Sequence, residues 1–233
     1  MILLLKKGIF MDYFFRTTPD AGFTFNMHLV RLGLVLFLFL IYQFRKKAWI
    51  LKFLLVASVF LQGVLYFWYT LDHDLLLREG LPLYHCRLAG ICLPIAFLLK
   101  KEKSMAFFAD LALVGTLVAF AVPDPSKYAW PHVTNLTYIL NHYVLMACGM
   151  LVTVTCPKKL TFKEIGIGSL VINSTIFAVD LALSANYGYL TRVPIAFFDF
   201  VPVPLVFIIM TILFTIALYL VEILKKKFGT FAD

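Results

Sequence analysis

The feature that most constrains this sequence is a series of seven apolar segments, each close to the length of a membrane-crossing helix. A spanning helix needs about 20 mostly apolar residues. The bilayer core holds no water that could hydrogen-bond to the backbone. An apolar segment of this length therefore forms a helix, in which its N–H and C=O groups bond to each other. The segments are Phe25–Phe44, Trp49–Leu71, Leu81–Leu99, Ser104–Val122, Thr134–Cys156, Glu164–Asn186 and Val201–Leu224. The sequence therefore predicts an all-α, polytopic membrane protein with seven transmembrane helices.

The composition agrees with a membrane protein rather than a soluble one. Apolar residues make up 62% and charged residues 15% of the chain, against about 45–50% and about 25% in globular domains. The net charge is +8, but the basic residues form short clusters between apolar segments and are not interleaved with aromatics, so no nucleic-acid partner is expected. The four cysteines form no CxxC pair, and neither a metal site nor a cofactor is expected.

The basic clusters predict how the chain is oriented. They follow the first, third, fifth and seventh segments, at Arg45–Lys47, Lys100–Lys103, Lys158–Lys163 and Lys225–Lys227. Positive residues are retained on the cytoplasmic side, so we expect the N-terminus outside and the C-terminus in the cytoplasm of a cell-membrane protein. Residues 1–24 would then be an extracellular segment, 25–224 the transmembrane domain and 225–233 a cytoplasmic tail. Residues 1–10 lack a secretory signal pattern, and Met11 is an alternative start.

Polar residues inside the apolar segments indicate where a site lies, because ionisable groups in a membrane are costly and usually functional. At 1.5 Å per residue, four of them fall about 7–12 Å below the outer surface. We therefore expect a polar pocket in the outer leaflet, with Arg31 or Arg87 paired to Asp180, and a structural pairing role for Asp110 on the cytoplasmic side. The four residues at one depth are Arg31, Cys86, His142 and Asp180.

Cys86 and His142 are candidates for nucleophilic catalysis. A thiol attacks only as the thiolate, which a nearby imidazole generates by taking the proton. His85 and His132 are alternative bases, one adjacent in sequence and one in the loop at the pocket mouth. The competing interpretation is a network of interhelical salt bridges and hydrogen bonds that only holds the bundle together.

Four stretches of the chain resemble a known family. They are LPLYHCRLAGICLPIAFLLKK (Leu81–Lys101), PDPSKYAWPH (Pro123–His132), NHY (Asn141–Tyr143) and SANYGYLTRVP (Ser184–Pro194). Their order and spacing resemble the YwaF-type bacterial membrane proteins, which look like the bacterial arm of the group that contains transmembrane protein 164.

That resemblance implies a lipid acyltransferase with a cysteine nucleophile and a histidine base, which would be Cys86 and His142. It also implies functional positions at His132, Asp124 and Asn186. In the family a histidine usually stands two residues before the cysteine and an acid directly after it. Here those positions hold Tyr84 and Arg87.

Our leading hypothesis from the sequence is a lipid-directed acyltransferase or hydrolase. Cys86 would attack an acyl ester, His142 would take its proton, and Arg87 or the Asn141 amide would stabilise the developing negative charge. The residues expected to bind the substrate are Arg31, His85, Arg87, His132, Asn141 and Asp180. The alternatives are a non-enzymatic protein that binds or transports a lipid or small molecule, and a subunit of a cell-envelope complex with a membrane-protein partner.

Overall fold

The structure is a computed structural model that describes residues 11–20, 26–124, 126–156 and 158–228. The predicted extracellular segment and cytoplasmic tail therefore lie partly outside the described residues, which begin at the alternative start, Met11. The described chain contains seven long α-helices and no strand. They are α1 (Met27–Gln43), α2 (Ala48–Tyr69), α3 (His85–Leu98), α4 (Glu102–Ala121), α5 (Val133–Thr155), α6 (Phe162–Leu183) and α7 (Val203–Phe228).

Five of these helices, α2, α4, α5, α6 and α7, are each long and apolar enough to cross a membrane. Helix α3 meets that criterion only together with the helical segment His73–Gly80, from which it is bent by 80°. Helix α1 has 17 residues, or about 26 Å against a hydrocarbon core of about 30 Å. The described residues thus confirm the all-α fold, with five or six candidate spans.

Helix α5 is the centre of the bundle, because α1, α2, α3 and α4 all pack against it. The backbones of α4 and α5 approach so closely at Gly149 that no larger residue fits there. A Cβ added to Gly149 would lie 2.8 Å from the backbone oxygen of Ala109 and 2.7 Å from the Leu113 side chain. This close approach fixes α4 and α5 as the inner pair on which α3 rests.

The described residues of the lysine-rich connections lie at one end of the bundle, which we call the basic end (residues 44–47, 99–101, 156, 158–161 and 225–228). Lys103 forms an ion pair with Glu164, and Lys158 lies 3.4 Å from Glu102. These contacts join the start of α4 to the start of α6, as the alternating charge pattern predicts.

A buried charge cluster ties the C-terminal part of α7 to α4 at the same end. Lys225 is ion-paired with Asp110 and lies 3.0 Å from Glu222. Asp110 and Glu222 are 1% and 0% exposed. The pairing role expected for Asp110 is confirmed. Lys225, which we assigned to the tail, lies within helix α7.

The opposite end, which we call the aromatic end, is closed by a clasp made of residues 14–20. The indole of Trp68 donates to the backbone oxygen of Phe15 at 3.1 Å, and the Tyr128 hydroxyl donates to that of Thr17 at 3.0 Å. His132 Nε2 lies 2.9 Å from the backbone oxygen of Arg16. Because Nδ1 of His132 accepts from the Thr134 N–H, Nε2 carries the proton and donates to the clasp.

The third predicted segment begins four residues too early. Leu81 has an extended backbone (ψ 148°), as expected of a residue that precedes proline, and the helix starts only at His85. The correction matters for function because it moves Cys86 from the second turn of a helix to the first.

Candidate functional site

Cys86 is the second residue of α3, directly after Tyr84 and His85 at the helix start. The first N–H groups of a helix have no intrahelical acceptor, and the helix dipole is positive at this end. The first backbone bond of α3 runs from Leu88 to Tyr84, and the Arg87 backbone N–H interacts with the Cys86 sulfur. A helix N-terminus favours the thiolate form of a cysteine.

His142 approaches Cys86 from α5. The two side chains interact directly, each as the partner of the other, although the His142 Nε2 atom makes no hydrogen bond of regular geometry within the described residues. We interpret the contact as close but not a formed hydrogen bond, since catalytic hydrogen bonds are often loose in the absence of substrate. Gly115 of α4 lies beside Cys86, where a Cβ would make ordinary van der Waals contact with the Cys86 backbone and Cβ at 3.7 Å.

The tautomer of His142 is set by its own helix. Its Nδ1 lies 2.6 Å from the backbone oxygen of Tyr138, an acceptor that requires the proton on Nδ1. Nε2 therefore keeps a free lone pair on the side of Cys86. The ring is held in place by Tyr138 at 4.7 Å and Phe120 at 5.5 Å between centroids.

Arg31 belongs to the surroundings of this histidine but not to the expected ion pair. Its Nε and Nη2 donate to the backbone oxygen of Phe120 at 2.9 and 2.6 Å. The predicted pairing of Arg31 with Asp180 is wrong, because the guanidinium satisfies an unpaired carbonyl at the end of α4. The sequence analysis predicts a depth for Arg31 in the membrane but not the direction of its side chain.

Arg87 is likewise used for structure. Its guanidinium donates to the backbone oxygens of Glu79 (2.5 Å) and Leu81 (3.4 Å) and to the Tyr69 hydroxyl (3.1 Å). It therefore holds the 76–81 turn that leads into α3. Its predicted pairing with Asp180 is wrong, because the guanidinium is bound to these oxygens.

The rival bases point away from Cys86. His85 lies 2.7 Å from the Asn173 side-chain oxygen on α6 and packs on Phe214 of α7 at 4.3 Å. His132 is fully buried in the clasp. Burial, followed by the nearby charge of Arg16, lowers the pKa of His132, which keeps it neutral as a helix cap.

Asp180 and Asn141 complete the predicted set. One Asp180 oxygen accepts from the Tyr187 N–H at 2.7 Å, so the carboxylate caps the loop after α6. Asn141 is 7% exposed and its side-chain oxygen has no partner within the described residues. The expected residues therefore do not form a single polar pocket, because Arg31, Arg87 and Asp180 each bind backbone groups of different segments.

A cavity of about 440 Å³ opens at the aromatic end, but neither Cys86 nor His142 is among the described residues that line it. Its floor includes Tyr84 and Tyr189, and the latter is close enough to Cys86 to interact with it electrostatically. Tyr189 therefore both lines the cavity and belongs to the electrostatic surroundings of the thiol. Asp124 and Asn186, two positions that the family resemblance implied, also line it.

Tyr189 lines this cavity and has a strained backbone conformation. Its φ is 58° and that of Gly188 is 66°, the left-handed region that costs a non-glycine residue about 1–2 kcal/mol. Its hydroxyl donates to Asp124 at 2.8 Å. Burial, followed by the Asp124 charge, raises the pKa of Tyr189. Neither Tyr138 nor Tyr189 was proposed from the sequence. The sequence did hold a signal for Tyr138, because its four-residue spacing from His142 places these two residues on one helix face.

Metal chemistry finds no geometric support in the described part of the chain, where no three His, Cys, Asp or Glu side chains cluster as ligands. The four cysteines are free thiols.

Comparison with known proteins gives one match. The model of the TMEM164 family covers residues 21–222, which includes every residue of the site. No curated protein and no solved structure matches the chain.

Proposed function

The chain belongs to the TMEM164 family, and from this membership and the site we propose a lipid-directed acyltransferase or hydrolase that uses Cys86 and His142. The apolar helices and the family indicate a multi-pass membrane protein in contact with lipid. The observation that carries the proposal is the approach of the His142 imidazole, whose Nε2 makes no hydrogen bond within the described residues, to a thiol on the first turn of α3.

The chemical steps follow from this arrangement. His142 Nε2 takes the Cys86 proton, and the thiolate attacks the carbonyl carbon of an acyl ester. The carbonyl oxygen becomes an oxyanion that accepts from free N–H groups at the start of α3. The C–O bond then breaks, the His142 imidazolium protonates the leaving alkoxide, and an acyl thioester remains on Cys86.

The second half-reaction distinguishes the two activities. Water gives a hydrolase and a lipid hydroxyl gives an acyltransferase. In each case His142 takes the proton of the acceptor and returns it to the departing thiolate. The proposed route for the substrate runs from the cavity past Tyr189, whose left-handed backbone is of the kind that clusters at functional sites.

The proposal includes the topology, with seven spans, the N-terminus outside and the C-terminus in the cytoplasm. The ion pairs that gather the lysine-rich loops at one end support it, as does the clasp that gathers residues 14–20 with the Tyr128 loop at the other. Reporter fusions test it. An enzyme active only outside the cell should be active when inserted near Lys127 and inactive when inserted near Lys159, and the reverse pattern would overturn the orientation.

The transport alternative is less well supported. A pocket lined by Arg31, Arg87 and Asp180 would favour it, and none of the three is among the described residues that line the cavity at the aromatic end.

The catalytic proposal is tested with a lipid-like acyl ester probe that labels the nucleophile. Cys86→Ala should abolish labelling. Cys92→Ala, which removes a half-buried thiol six residues further along α3, is the matched control and should label normally. His142→Gln should slow labelling by about 10²–10⁴-fold, the usual contribution of a general base. Undiminished labelling of Cys86→Ala would end the cysteine mechanism.

A further inference from the structure

A second cavity lies at the basic end, far along the bundle from Cys86. It is an open groove of about 330 Å³ between α4 and α6, which we call the basic-end groove. Its walls are apolar and consist of Phe107, Phe108, Leu160, Gly168, Val171 and Ile172. Lys103, Ser104 and Glu164 stand at its mouth.

The groove exists because the two helices meet over a small area. A Cβ on Gly168 would lie 2.7 Å from the ring of Phe107, so the glycine lets this ring lie flat against α6. The Lys103–Glu164 ion pair closes the helix ends. Between these two contacts the apolar walls remain open to the outside of the bundle, with Val171 60% exposed.

The charges near the mouth of the groove indicate the charge of a ligand that would bind there. The connections that lead into α4 and α6 and the first turns of these helices carry six lysines and only two glutamates. Both glutamates are already paired, Glu164 with Lys103 and Glu102 with Lys158. Lys159 and Lys163 are exposed, and no ion pair to either is found in the part of the chain that the structure describes. The mouth therefore keeps a net positive charge directly next to an apolar cleft. The lysines are Lys100, Lys101, Lys103, Lys158, Lys159 and Lys163.

We propose that the basic-end groove binds one membrane lipid with an anionic headgroup. An acyl chain lies along the Phe107, Phe108 and Val171 walls, and the headgroup phosphate lies among the lysines at the mouth. Basic pockets between transmembrane helices bind acidic lipid headgroups in this way, and a volume of this size is within the usual range for ligand sites, about 300–1,000 Å³. This site is separate from Cys86 and does not depend on the proposed acyl chemistry.

The test measures lipid retention by native mass spectrometry of the full chain in detergent. Phosphatidylglycerol and phosphatidylcholine with identical oleoyl chains are titrated in parallel. The expected result is one tightly retained phosphatidylglycerol, with phosphatidylcholine bound about tenfold or more weakly, since lysines near a headgroup each contribute about 1 kcal/mol. Equal affinity for the two lipids would overturn the proposal.

Two pairs of variants locate the site. Lys159→Gln/Lys163→Gln should abolish the preference for phosphatidylglycerol. Lys46→Gln/Lys47→Gln, which removes the same charge from the α1–α2 loop at the same end, should retain it. An equal loss in both double variants would mean general surface charge and would refute a defined site.

The apolar wall is tested in the same way with two exposed valines. Val171→Phe fills the groove and should reduce retention of both lipids several-fold. Val56→Phe, on the exposed face of α2, should leave retention unchanged. Identical retention in the two variants would exclude the groove as the acyl-chain site.

Discussion

Replacing Lys225 with methionine should destabilise the bundle more than any other single change at the basic end. Lys225 is paired with two carboxylates, Asp110 and Glu222, which are 1% and 0% exposed. Lys225→Met removes the positive charge and leaves both acids buried between α4 and α7. Removing one partner of a buried ion pair costs about 3–5 kcal/mol.

That cost corresponds to a drop in Tm of roughly 6–20 °C for a chain of this size. Thermal unfolding in detergent, followed by the loss of the monodisperse peak in size-exclusion chromatography, measures it. Lys226→Met is the matched control, because Lys226 is exposed and one residue away, and its Tm should stay within about 1–2 °C, as expected for a surface substitution.

A triple variant distinguishes loss of charge balance from loss of packing. Lys225→Met with Asp110→Asn and Glu222→Gln removes every charge of the cluster and should recover most of the lost stability, since apolar or neutral replacement of a buried ion pair is often tolerated. If the triple variant is as unstable as Lys225→Met, or if Lys225→Met unfolds at the same temperature as Lys226→Met, the charge argument is refuted.

Two further predictions concern the aromatic end. The lowered pKa of His132 means that the unfolded chain takes up the proton first, so the stability contributed by His132 is complete above about pH 6.5 and decreases as the pH falls below it. His132→Asn keeps a helix cap without titrating, so its stability between pH 8 and pH 5 should fall less than that of the native chain, and equal slopes would contradict this. Gly188→Ala should lower the free energy of unfolding by about 1–3 kcal/mol, because φ is 66° and the new Cβ would lie 2.7 Å from the His85 ring. An unchanged midpoint of denaturation would show that the loop adapts without cost.

The helices were predictable from the sequence because long apolar segments between charged or proline-containing loops leave few alternatives. The start of the third helix was the exception. Pro82 indicated that the helix could not begin at Leu81, since it forces Leu81 into an extended conformation. The residues on either side of Pro82 are apolar, however, so the segment looked continuous. The placement of Cys86 on the first helical turn depends on that correction.

The sequence could not predict the partners of the site residues. Rise per residue predicts that Arg31, Cys86, His142 and Asp180 share one depth, which stays a prediction, but it does not say which of these side chains face each other. Arg31 binds a backbone oxygen and Asp180 a backbone N–H. Backbone partners have no sequence signature, because every residue carries the same peptide group, so the expected ion pair could not be distinguished from these contacts.

The clasp of residues 14–20 was also beyond sequence reasoning. It depends on contacts between Arg16 or Thr17 and residues more than 100 positions away, such as Tyr128 and His132. No local periodicity records such contacts. His132 therefore looked like a candidate base in the sequence and is a buried structural donor in the structure.

The central claim is that Cys86 carries an acyl group during turnover and that His142 activates it. The most direct measurement is peptide mass spectrometry of the protein after brief incubation with a phospholipid whose acyl chain is isotopically labelled, followed by an acid quench. The account predicts a labelled acyl thioester on the Cys86 peptide that neutral hydroxylamine removes, and formation at least a hundredfold slower in His142→Gln. A Cys86 peptide that never carries the label, while the labelled lipid is still consumed, would contradict it.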